Sequence, residues 1–314
     1  MRKFLTALAL VCLWPALASA QGEWRDGPAL LSPRSGLAAA ELEGKIYAAG
    51  GAGLTQPRNE VEVFDPDLGE WRDVTALPSG LERFGMTAAN GRLYAAGGYA
   101  AREGVRPIAD MWSYAPETGV WQRETAMPGP MASFQLVGHD GHLYALGGET
   151  GTSGMFVFDI EAREWTARDD TPDDVSRRGG AAVVVDGRIL FIGGAHSGIA
   201  TERVDVYDIA SGTWSQAADM PTPRAGHAAV LSGGRIHVFG GRGEDLSRTL
   251  SDHISYDPVT DSWRAESELR SPRTDAAAAT LNGMVYLVGG GAGGGFFAPF
   301  TAIDVTDIFV PDGH

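Results

Sequence analysis

The chain has 314 residues, a formal net charge of −15 and a single cysteine, Cys12, which lies close to its start. The acidic excess argues against nucleic acid and anionic membrane surfaces as partners. Because no other cysteine is present, the chain beyond Cys12 forms no disulfide, Cys-ligated metal site or thiol nucleophile.

The first 20 residues have the pattern of a secretory signal. Basic residues at positions 2 and 3 are followed by an apolar run, 4–14, and by the small residues Ala18-Ser19-Ala20 of a cleavage site. The apolar run is shorter than the ~20 residues that a membrane-spanning helix needs. We therefore predict a Sec signal peptide over 1–20, cleaved after Ala20, and a protein exported to the periplasm or the medium without a membrane span.

A repeated segment first appears at 23–34 as EWRDGPALLSPR, and near-copies follow at 70–80 and 262–273. Two landmarks recur with it, a tryptophan and a Gly-Gly pair that ends a strand-like run. The tryptophans are Trp24, Trp71, Trp121, Trp165, Trp214 and Trp263, and the glycine pairs begin at Gly50, Gly97, Gly147, Gly193, Gly240 and Gly289. From each tryptophan to the next pair is 26 residues, except in the fourth repeat, where it is 28. The spacing indicates six repeats.

Each repeat has the signals of β structure. Apolar residues alternate in VEVFD, 61–65, and VDVYD, 204–208, with the period of a half-buried strand. Asn90-Gly91 and Asp140-Gly141 are typical of two-residue hairpins. The combination of Gly-Gly, an aromatic-Asp-Pro-like turn and Trp resembles the kelch repeat, whose unit is a four-stranded blade. The resemblance implies an all-β, six-bladed kelch β-propeller over residues 21–314.

The two ends of the chain are expected to share one blade. We name the strands of a blade A to D from the axis outward: A precedes the hairpin, B ends at Gly-Gly, C ends at an aromatic residue, and D carries Trp. In the sixth repeat the aromatic residue is Phe309 and the sequence stops at His314, which leaves no room for strand D. We predict that the N-terminal strand, which carries Trp24, closes the last blade.

The loops of such a propeller divide between two faces. The B–C and D–A loops emerge on one face, and the A–B and C–D turns on the other. From the second glycine of a pair to the aromatic residue of strand C the chain runs 10 to 19 residues, depending on the repeat. Loops of variable length carry function more often than fixed turns. We therefore predict that a ligand or protein binds the B–C/D–A face at the mouth of the central channel.

Arginines recur on the B–C/D–A face. A guanidinium group binds a carboxylate through paired hydrogen bonds, which favours an anionic sugar, an acidic peptide or an acidic protein as ligand. The predicted ligand-binding residues are Arg34, Arg58, Arg177, Arg224, Arg242 and Arg273, with Phe296 and Phe297 of a glycine-rich loop. The alternative is that these arginines pair with loop carbonyls and neighbouring acids, and that the phenylalanines pack over the sixth blade.

Catalysis has less support in the residues. Galactose oxidase also contains kelch blades, but its copper site needs a tyrosine crosslinked to cysteine, which the exported chain lacks. The N-acetylneuraminate epimerases, which are sialic-acid mutarotases, are secreted kelch propellers too. A resemblance to them implies a catalytic set of Glu244, Arg248 and His253 in the fifth repeat, in which a carboxylate transfers protons and an arginine anchors the carboxylate of the sugar. His139 and His142 have no third ligand nearby, so we expect no metal site and no cofactor.

The leading prediction is a monomeric, non-enzymatic binding module for an anionic sugar or an acidic peptide or protein. It rests on the regular blades, the variable loops of one face and the incomplete catalytic set. The alternative is a cofactor-free carbohydrate mutarotase of the N-acetylneuraminate epimerase type.

Overall fold

The computed structural model describes residues 22–101, 105–148, 154–168, 170–292 and 298–312. Within them the chain forms six four-stranded antiparallel sheets. The innermost strands of neighbouring sheets contact one another in a closed circle, so that the last sheet meets the first. The prediction of an all-β, six-bladed propeller is confirmed.

The blades follow one another along the chain, and each has its strands in the order A, B, C, D. Blade one consists of β2 (Ala38–Leu42), β3 (Lys45–Ala49), β4 (Val61–Asp65) and β5 (Glu70–Val74). Blade two consists of β6 (Gly85–Ala89), β7 (Arg92–Ala96), β10 (Met111–Ala115) and β11 (Val120–Arg123). Blade three consists of β12 (Phe134–His139), β13 (His142–Gly147), β14 (Met155–Asp159) and β15 (Glu164–Arg168). Blade four consists of β16 (Ala181–Val185), β17 (Arg188–Ile192), β20 (Val204–Asp208) and β21 (Thr213–Gln216). Blade five consists of β22 (Ala228–Ser232), β23 (Arg235–Phe239), β24 (His253–Asp257) and β25 (Ser262–Ala265). Blade six consists of β26 (Ala277–Leu281), β27 (Met284–Val288), β28 (Thr306–Val310) and β1 (Glu23–Asp26).

The loops of the B–C/D–A face carry the remaining elements. They are the hairpins β8 (Tyr99–Ala101) with β9 (Val105–Pro107) and β18 (Ala195–His196) with β19 (Ile199–Ala200), a 3₁₀ turn at Asp173–Val175, and α1 (Ala298–Thr301). On the opposite face the A–B turns are tight hairpins. Asn90 and Gly91 have φ of +48° and +72°, the double left-handed conformation of a type I′ turn.

The N-terminal strand β1 is the outer strand of blade six, as predicted. It pairs antiparallel with β28, and Trp24 lies opposite Phe309. The pairing continues past the strand, because the Gly27 amide donates to the Thr306 carbonyl at 2.9 Å. The segment that resembles the tail of a repeat therefore completes a blade whose other three strands come from the far end of the chain.

The repeated tryptophans join neighbouring blades. Five indole nitrogens donate, at 2.8–3.1 Å, to the carbonyl four residues after the tryptophan of the adjacent blade: Trp24 to Ser267, Trp71 to Pro28, Trp121 to Thr75, Trp165 to Thr125 and Trp263 to Ala218. For Trp214 the equivalent carbonyl belongs to residue 169, which lies outside the described residues. Because Trp24 follows the same rule, blades five and six are joined by the same contact as the others.

The Gly-Gly pairs let the D–A loop of the next blade approach strand B. Gly51 donates its amide hydrogen to the Leu81 carbonyl at 2.8 Å. A Cβ on Gly50 would lie 2.4 Å from that same oxygen, and the φ of Gly50 is +64°. Only glycine satisfies both conditions. The pairs thus have a structural role, and the other five second glycines donate to the equivalent carbonyl in the same way.

The hydrophobic core lies between the blades. At the junction of blades six and one, the Phe64 ring centroid lies 5.5 Å from that of Trp71 and 5.3 Å from that of Tyr286. Small residues such as Ala48 and Ala49 are fully buried on strand B, where the blades converge. The core thus couples each blade to the next instead of filling a single centre.

Two predictions stay open at this level. Residues 1–21, which include the predicted signal peptide, lie outside the described residues. Across the described ranges, no helix is long and apolar enough to cross a membrane. Export and the monomeric state therefore stay predictions.

Candidate functional site

Four of the predicted ligand-binding arginines lie inside the blades. Arg34, Arg177, Arg224 and Arg273 occupy equivalent positions in the D–A loops, and their exposed fractions are 0–3 %. Burial lowers the pKa of all four guanidinium groups, and that of Arg224 to about 10. Such groups need internal partners, because an unpaired buried charge is very costly.

Each of these arginines has an internal partner in its own blade. Arg34 pairs with Glu62, Arg177 with Asp205 at 2.8 Å, and Arg273 with Asp307. Arg224 donates to the Gly240 carbonyl at 3.1 Å and lies 3.5 Å from Asp252. The burial and these contacts do not support ligand binding by the four side chains. They match the alternative that the arginines bond loop carbonyls and neighbouring acids, and we leave them out of the candidate site.

The partner changes wherever the arginine changes. In blades two and three the arginine position holds Leu81 and Met131, and the position of Glu62 holds Trp112 and Phe156. Leu81 and Trp112 belong to one buried cluster, and Met131 and Phe156 to another. In blade five Arg224 is kept but the position of Glu62 holds Ile254, and the arginine contacts the Gly240 carbonyl and Asp252 instead. The other five blades fill this place with an ion pair or with an apolar pair. Its role is packing inside the blade.

Two residues further along each D–A loop, the chain forms a closed ring around the mouth of the channel. The ring residues are Gly36, Arg83, Ser133, Gly179, Gly226 and Asp275. Each amide donates to the carbonyl of the preceding ring residue at 2.7–2.8 Å, and Gly36 donates to Asp275, which closes the circle. Because every ring amide is used in this way, a ligand at the mouth must be recognised by side chains.

All six ring residues have a left-handed backbone, with φ between +50° and +68°. Glycine adopts this conformation freely, whereas a side chain there costs of order 1–3 kcal/mol. Three ring positions nevertheless carry side chains, those of Arg83, Ser133 and Asp275. Residues held in such conformations cluster at functional sites, which makes these three the first candidates.

A cavity of about 160 Å³ opens at the ring on the B–C/D–A face. Besides the three ring side chains, its lining includes Arg178 from the D–A loop of blade four and Arg242 from the B–C loop of blade five. A smaller hollow of about 90 Å³ shares the ring and is lined also by residues just before or at the start of the A strands. The two hollows together form the mouth of the channel.

The mouth carries more positive than negative charge. Of the residues that the structure describes, three guanidinium groups and one carboxylate line the larger cavity, in a protein whose formal net charge is −15. Arg83 Nη2 lies 3.2 Å from Asp275 Oδ2, and Asp275 raises the pKa of Arg83. Burial raises the pKa of Glu82, the residue beside Arg83. The Nε of Arg242 is buried and has no hydrogen-bond partner among the residues described.

The other predicted ligand-binding residues are spread over the face. Arg242 lies in the mouth, as its position in a B–C loop predicted. Arg58 is held in the first B–C loop by Glu60, at 3.2 Å, and by the Pro33 carbonyl, at 3.0 Å. Phe296 and Phe297 lie outside the described residues. Ligand contact by Arg58 and by the two phenylalanines stays a prediction.

The residues predicted for a mutarotase are not brought together. Glu244 and Arg248 are exposed in the B–C loop of blade five, whereas His253 is 1 % exposed at the start of β24. The His253 ring stacks on Phe239, with centroids 4.4 Å apart, and its Nε2 lies 2.9 Å from Nδ1 of His237. Burial lowers the pKa of His253 well below its usual value. A role for His253 as acid or base on a bound sugar does not fit this position in the core.

A further cavity, of about 530 Å³, lies beside blade four between the 3₁₀ turn and the β18–β19 hairpin. Its charged side chains are largely paired with one another, as Arg203 with Asp174 at 2.8 Å. Metal binding has no support in the described part of the chain, where no three His, Asp or Glu side chains are placed to hold an ion.

The ring residues escaped the sequence reasoning, although a signal was available. The arginine position follows each tryptophan by ten residues, as Arg34 follows Trp24, or by twelve in the fourth repeat. The charge at this position led to the prediction of ligand binding. The ring position follows by twelve, as Gly36 does, or by fourteen in the fourth repeat. A search at this offset for residues other than glycine finds Arg83, Ser133 and Asp275.

Comparisons with known proteins agree with this architecture. A family profile described as the KLHDC2/KLHL20/DRC7 Kelch-repeats domain matches residues 133–308, and one described as the Kelch motif matches residues 33–78 and 82–128. The solved structure "Structure of YjhT" superposes with a TM-score of 0.76 at 19% identity, covering 90% of this chain and 97% of that one. At this identity the likeness shows the fold alone.

Curated relatives match over parts of their length. Alpha-scruin of Limulus polyphemus is 32% identical over 112 residues, which are 34% of this chain and 12% of scruin. Kelch-like protein 33 of Homo sapiens is 33% identical over 76 residues, which are 24% of this chain and 14% of the relative. The aligned segments thus span about an eighth of these relatives.

Proposed function

The chain belongs to the kelch-repeat family, and on this premise we propose that it is an exported binding module that takes a carboxylate-bearing ligand at the mouth of its channel. The ligand is an anionic sugar or an acidic segment of a protein. One observation carries the proposal: Arg83, Arg178 and Arg242 converge on one cavity of an otherwise acidic protein.

The chemistry of the mouth favours a carboxylate. An arginine offers a planar pair of donors that matches the two oxygens of a carboxylate. The Arg242 side chain lines this cavity together with Arg83 and Arg178, so charged donors border the space that a carboxylate would enter. Because the ring amides are occupied, neutral carbonyl ligands gain little from the backbone.

The size of the mouth limits what enters it. A cavity of about 160 Å³ is smaller than the roughly 300–1,000 Å³ of drug-sized pockets. It therefore takes one anionic group with its nearest atoms, while the rest of the ligand lies on the surrounding B–C loops. This division fits a sugar acid or a Glu or Asp side chain of a longer peptide.

Calorimetric titration with N-acetylneuraminate and with a tetraglutamate peptide tests the proposal. We expect Arg178→Ala and Arg242→Ala each to weaken binding of the preferred probe at least tenfold, about 1.4 kcal/mol. The matched control is Arg163→Ala, whose side chain is 56% exposed on the opposite face. Raised salt should weaken binding to the wild type. Equal losses in all three variants, or no binding of either probe, would contradict the proposal.

Export has its own test. The chain is produced with its leader in a bacterial host, and the N-terminus of the protein in the periplasm and medium is sequenced. We expect it to begin at Gln21. Recovery from the cytoplasm with the leader intact would contradict export.

A mutarotase remains the second candidate. Glu244 is exposed in the B–C loop of blade five, and the residues two before and two after it, Arg242 and Leu246, line the mouth. A carboxylate is therefore next in sequence to residues of the proposed ligand site. Proton NMR of anomer exchange in N-acetylneuraminate separates the two functions. Acceleration by the wild type that is lost in Glu244→Gln would favour the enzyme, whereas exchange at the uncatalysed rate leaves binding as the function.

A further inference from the structure

Two of the six ring residues, Arg83 and Asp275, form an ion pair with each other. Arg83 and Asp275 are next-but-one neighbours in the ring and are separated only by Gly36. A Cβ on Gly36 would lie 3.4 Å from Cγ of Arg83. The Arg83 side chain therefore passes over the bare glycine toward Asp275, at a distance where a Cβ at position 36 would just touch it.

Asp275 is enclosed from the other side as well. A Cβ on Gly226 would lie 3.2 Å from Asp275 Oδ1, while Oδ2 lies 3.2 Å from Arg83 Nη2. The two side chains are 23% and 15% exposed, so solvent screens the pair only in part. The other acid that faces Arg83 is Glu82, whose pKa is raised by burial.

We infer that Asp275 is an internal counter-ion of the mouth, which occupies Arg83 in the free protein and must be displaced by an anionic ligand. The inference rests on the proposed function and deepens it. A ligand carboxylate competes with Asp275 for the same guanidinium, and the displaced Asp275 carboxylate then stands close to the ligand as a like charge. Asp275 therefore sets how strongly an anion must bind to enter the mouth.

The fold does not need this carboxylate. Three of the six ring positions are glycine, and they make the same backbone hydrogen bonds as Asp275 at 2.7–2.8 Å. Asp275 itself has a φ of +54°, where aspartate is tolerated but glycine is free of strain. Glycine at position 275 would keep the ring hydrogen bonds and remove the strain. We therefore attribute the aspartate at this position to the role of its side chain at the mouth.

The test is calorimetric titration of Asp275→Asn with the probe that the wild type prefers. Asparagine keeps the size of the side chain and accepts a left-handed backbone, so the ring is expected to stay intact. We expect Asp275→Asn to bind the probe about tenfold more tightly and Arg83→Met to bind it at least tenfold more weakly. In the double variant, Asp275→Asn should bring no gain, because the group that it frees is gone.

A control separates the local effect from net charge. Asp173→Asn removes one negative charge from the same face, away from the ring, and should change affinity less than twofold. Equal tightening by Asp173→Asn and Asp275→Asn would overturn the counter-ion, as would unchanged affinity in Asp275→Asn.

The results also separate the inference from the proposed function. If Arg178→Ala and Arg242→Ala weaken binding while Asp275→Asn leaves it unchanged, the site stands and the counter-ion falls. If the wild type binds neither probe but Asp275→Asn binds one, the proposed function of the wild type fails, whereas Asp275 is still supported as the group that keeps anions out of the mouth. If neither protein binds either probe, both proposals fail.

Discussion

Two positions of the repeat, only two residues apart, differ in what the fold demands of them. At the position of Arg34, which we call the buried position, the surroundings require a filled interior, and the protein supplies either an arginine with an acid or an apolar pair. At the ring position, that of Gly36, the backbone is the same in all six blades and the side chain is free to vary. A recurring charge can therefore serve packing, while function is sought where the backbone is constant and the side chain is not.

The largest expected loss of stability comes from removing the segment that precedes the buried position and the ring position of blade one. Deleting residues 21–30 removes strand β1, the Trp24–Ser267 bond and the buried Leu30, and it exposes Phe309. Loss of one large core side chain alone costs about 3–5 kcal/mol. Because several such groups are lost together, we expect the melting temperature to fall by more than about 10 °C, at roughly 1.6 °C per kcal/mol for a chain of this size.

The control for the deletion is Glu23→Ala, which changes an exposed residue of the same strand and should melt with the wild type. The deletion also tests the comparison. If the deletion variant melts with the wild type, the ring of backbone hydrogen bonds is sufficient to close the propeller without its outer strand.

A smaller loss of stability is expected when one member of the ion pair at the buried position is removed. Arg273→Met leaves Asp307, which is 2% exposed, without its guanidinium. Breaking a buried ion pair in this way costs about 3–5 kcal/mol. Adding Asp307→Leu creates an apolar pair like those of blades two and three, and should recover most of the loss.

Urea unfolding of the two variants and the wild type measures these free energies. If the double variant is as unstable as Arg273→Met, charge at the buried position is needed after all, and the contrast with the ring position is lost. Neither variant should change ligand affinity more than twofold, because Arg273 lies outside the mouth.

More of the fold than of the candidate site could be predicted from the sequence. Landmarks that repeat six times, such as Trp24 and Gly50, report on contacts that every blade must make, and the spacing between them predicted six blades and the closing strand. The site depends on where each arginine points. Arg34 and Arg83 both belong to D–A loops, yet one enters the blade and the other the mouth. This difference goes with the left-handed backbone at the ring position itself, which local residue patterns do not reveal when Arg83 stands where glycine is expected.

A pH-dependent loss of moderate size is expected from another polar pair inside the blades. His237 and His253 are each 1% exposed and lie 2.9 Å apart, and burial lowers the pKa of His237 to about 4, although nearby Glu266 opposes the shift. In the unfolded chain a histidine titrates near 6.5. The unfolded state therefore binds more protons as the pH falls from about 6.5 to 4, and stability is lost across that window.

For His237 alone the loss between pH 7 and pH 5 is about 2 kcal/mol, or roughly 3 °C in melting temperature. The matched variant is His237→Tyr with His253→Met, the residues that blade two carries at these positions as Tyr94 and Met111. Its melting temperature should change less between pH 7 and pH 5 than that of the wild type. An equal pH dependence in both proteins would place the acid sensitivity elsewhere.

The smallest effect is expected at the ring position and has the opposite sign. Ser133 has a φ of +54°, and its amide and carbonyl already make the ring hydrogen bonds. Ser133→Gly relieves the left-handed strain but adds freedom to the unfolded chain, so we expect a net gain of about 0.5–1 kcal/mol. Ser133→Ala keeps the strain and should show no gain, which makes it the control in urea unfolding. A loss of stability in Ser133→Gly would mean that the hydroxyl supports the ring, and the ring side chains would then serve packing like the arginines of the buried position.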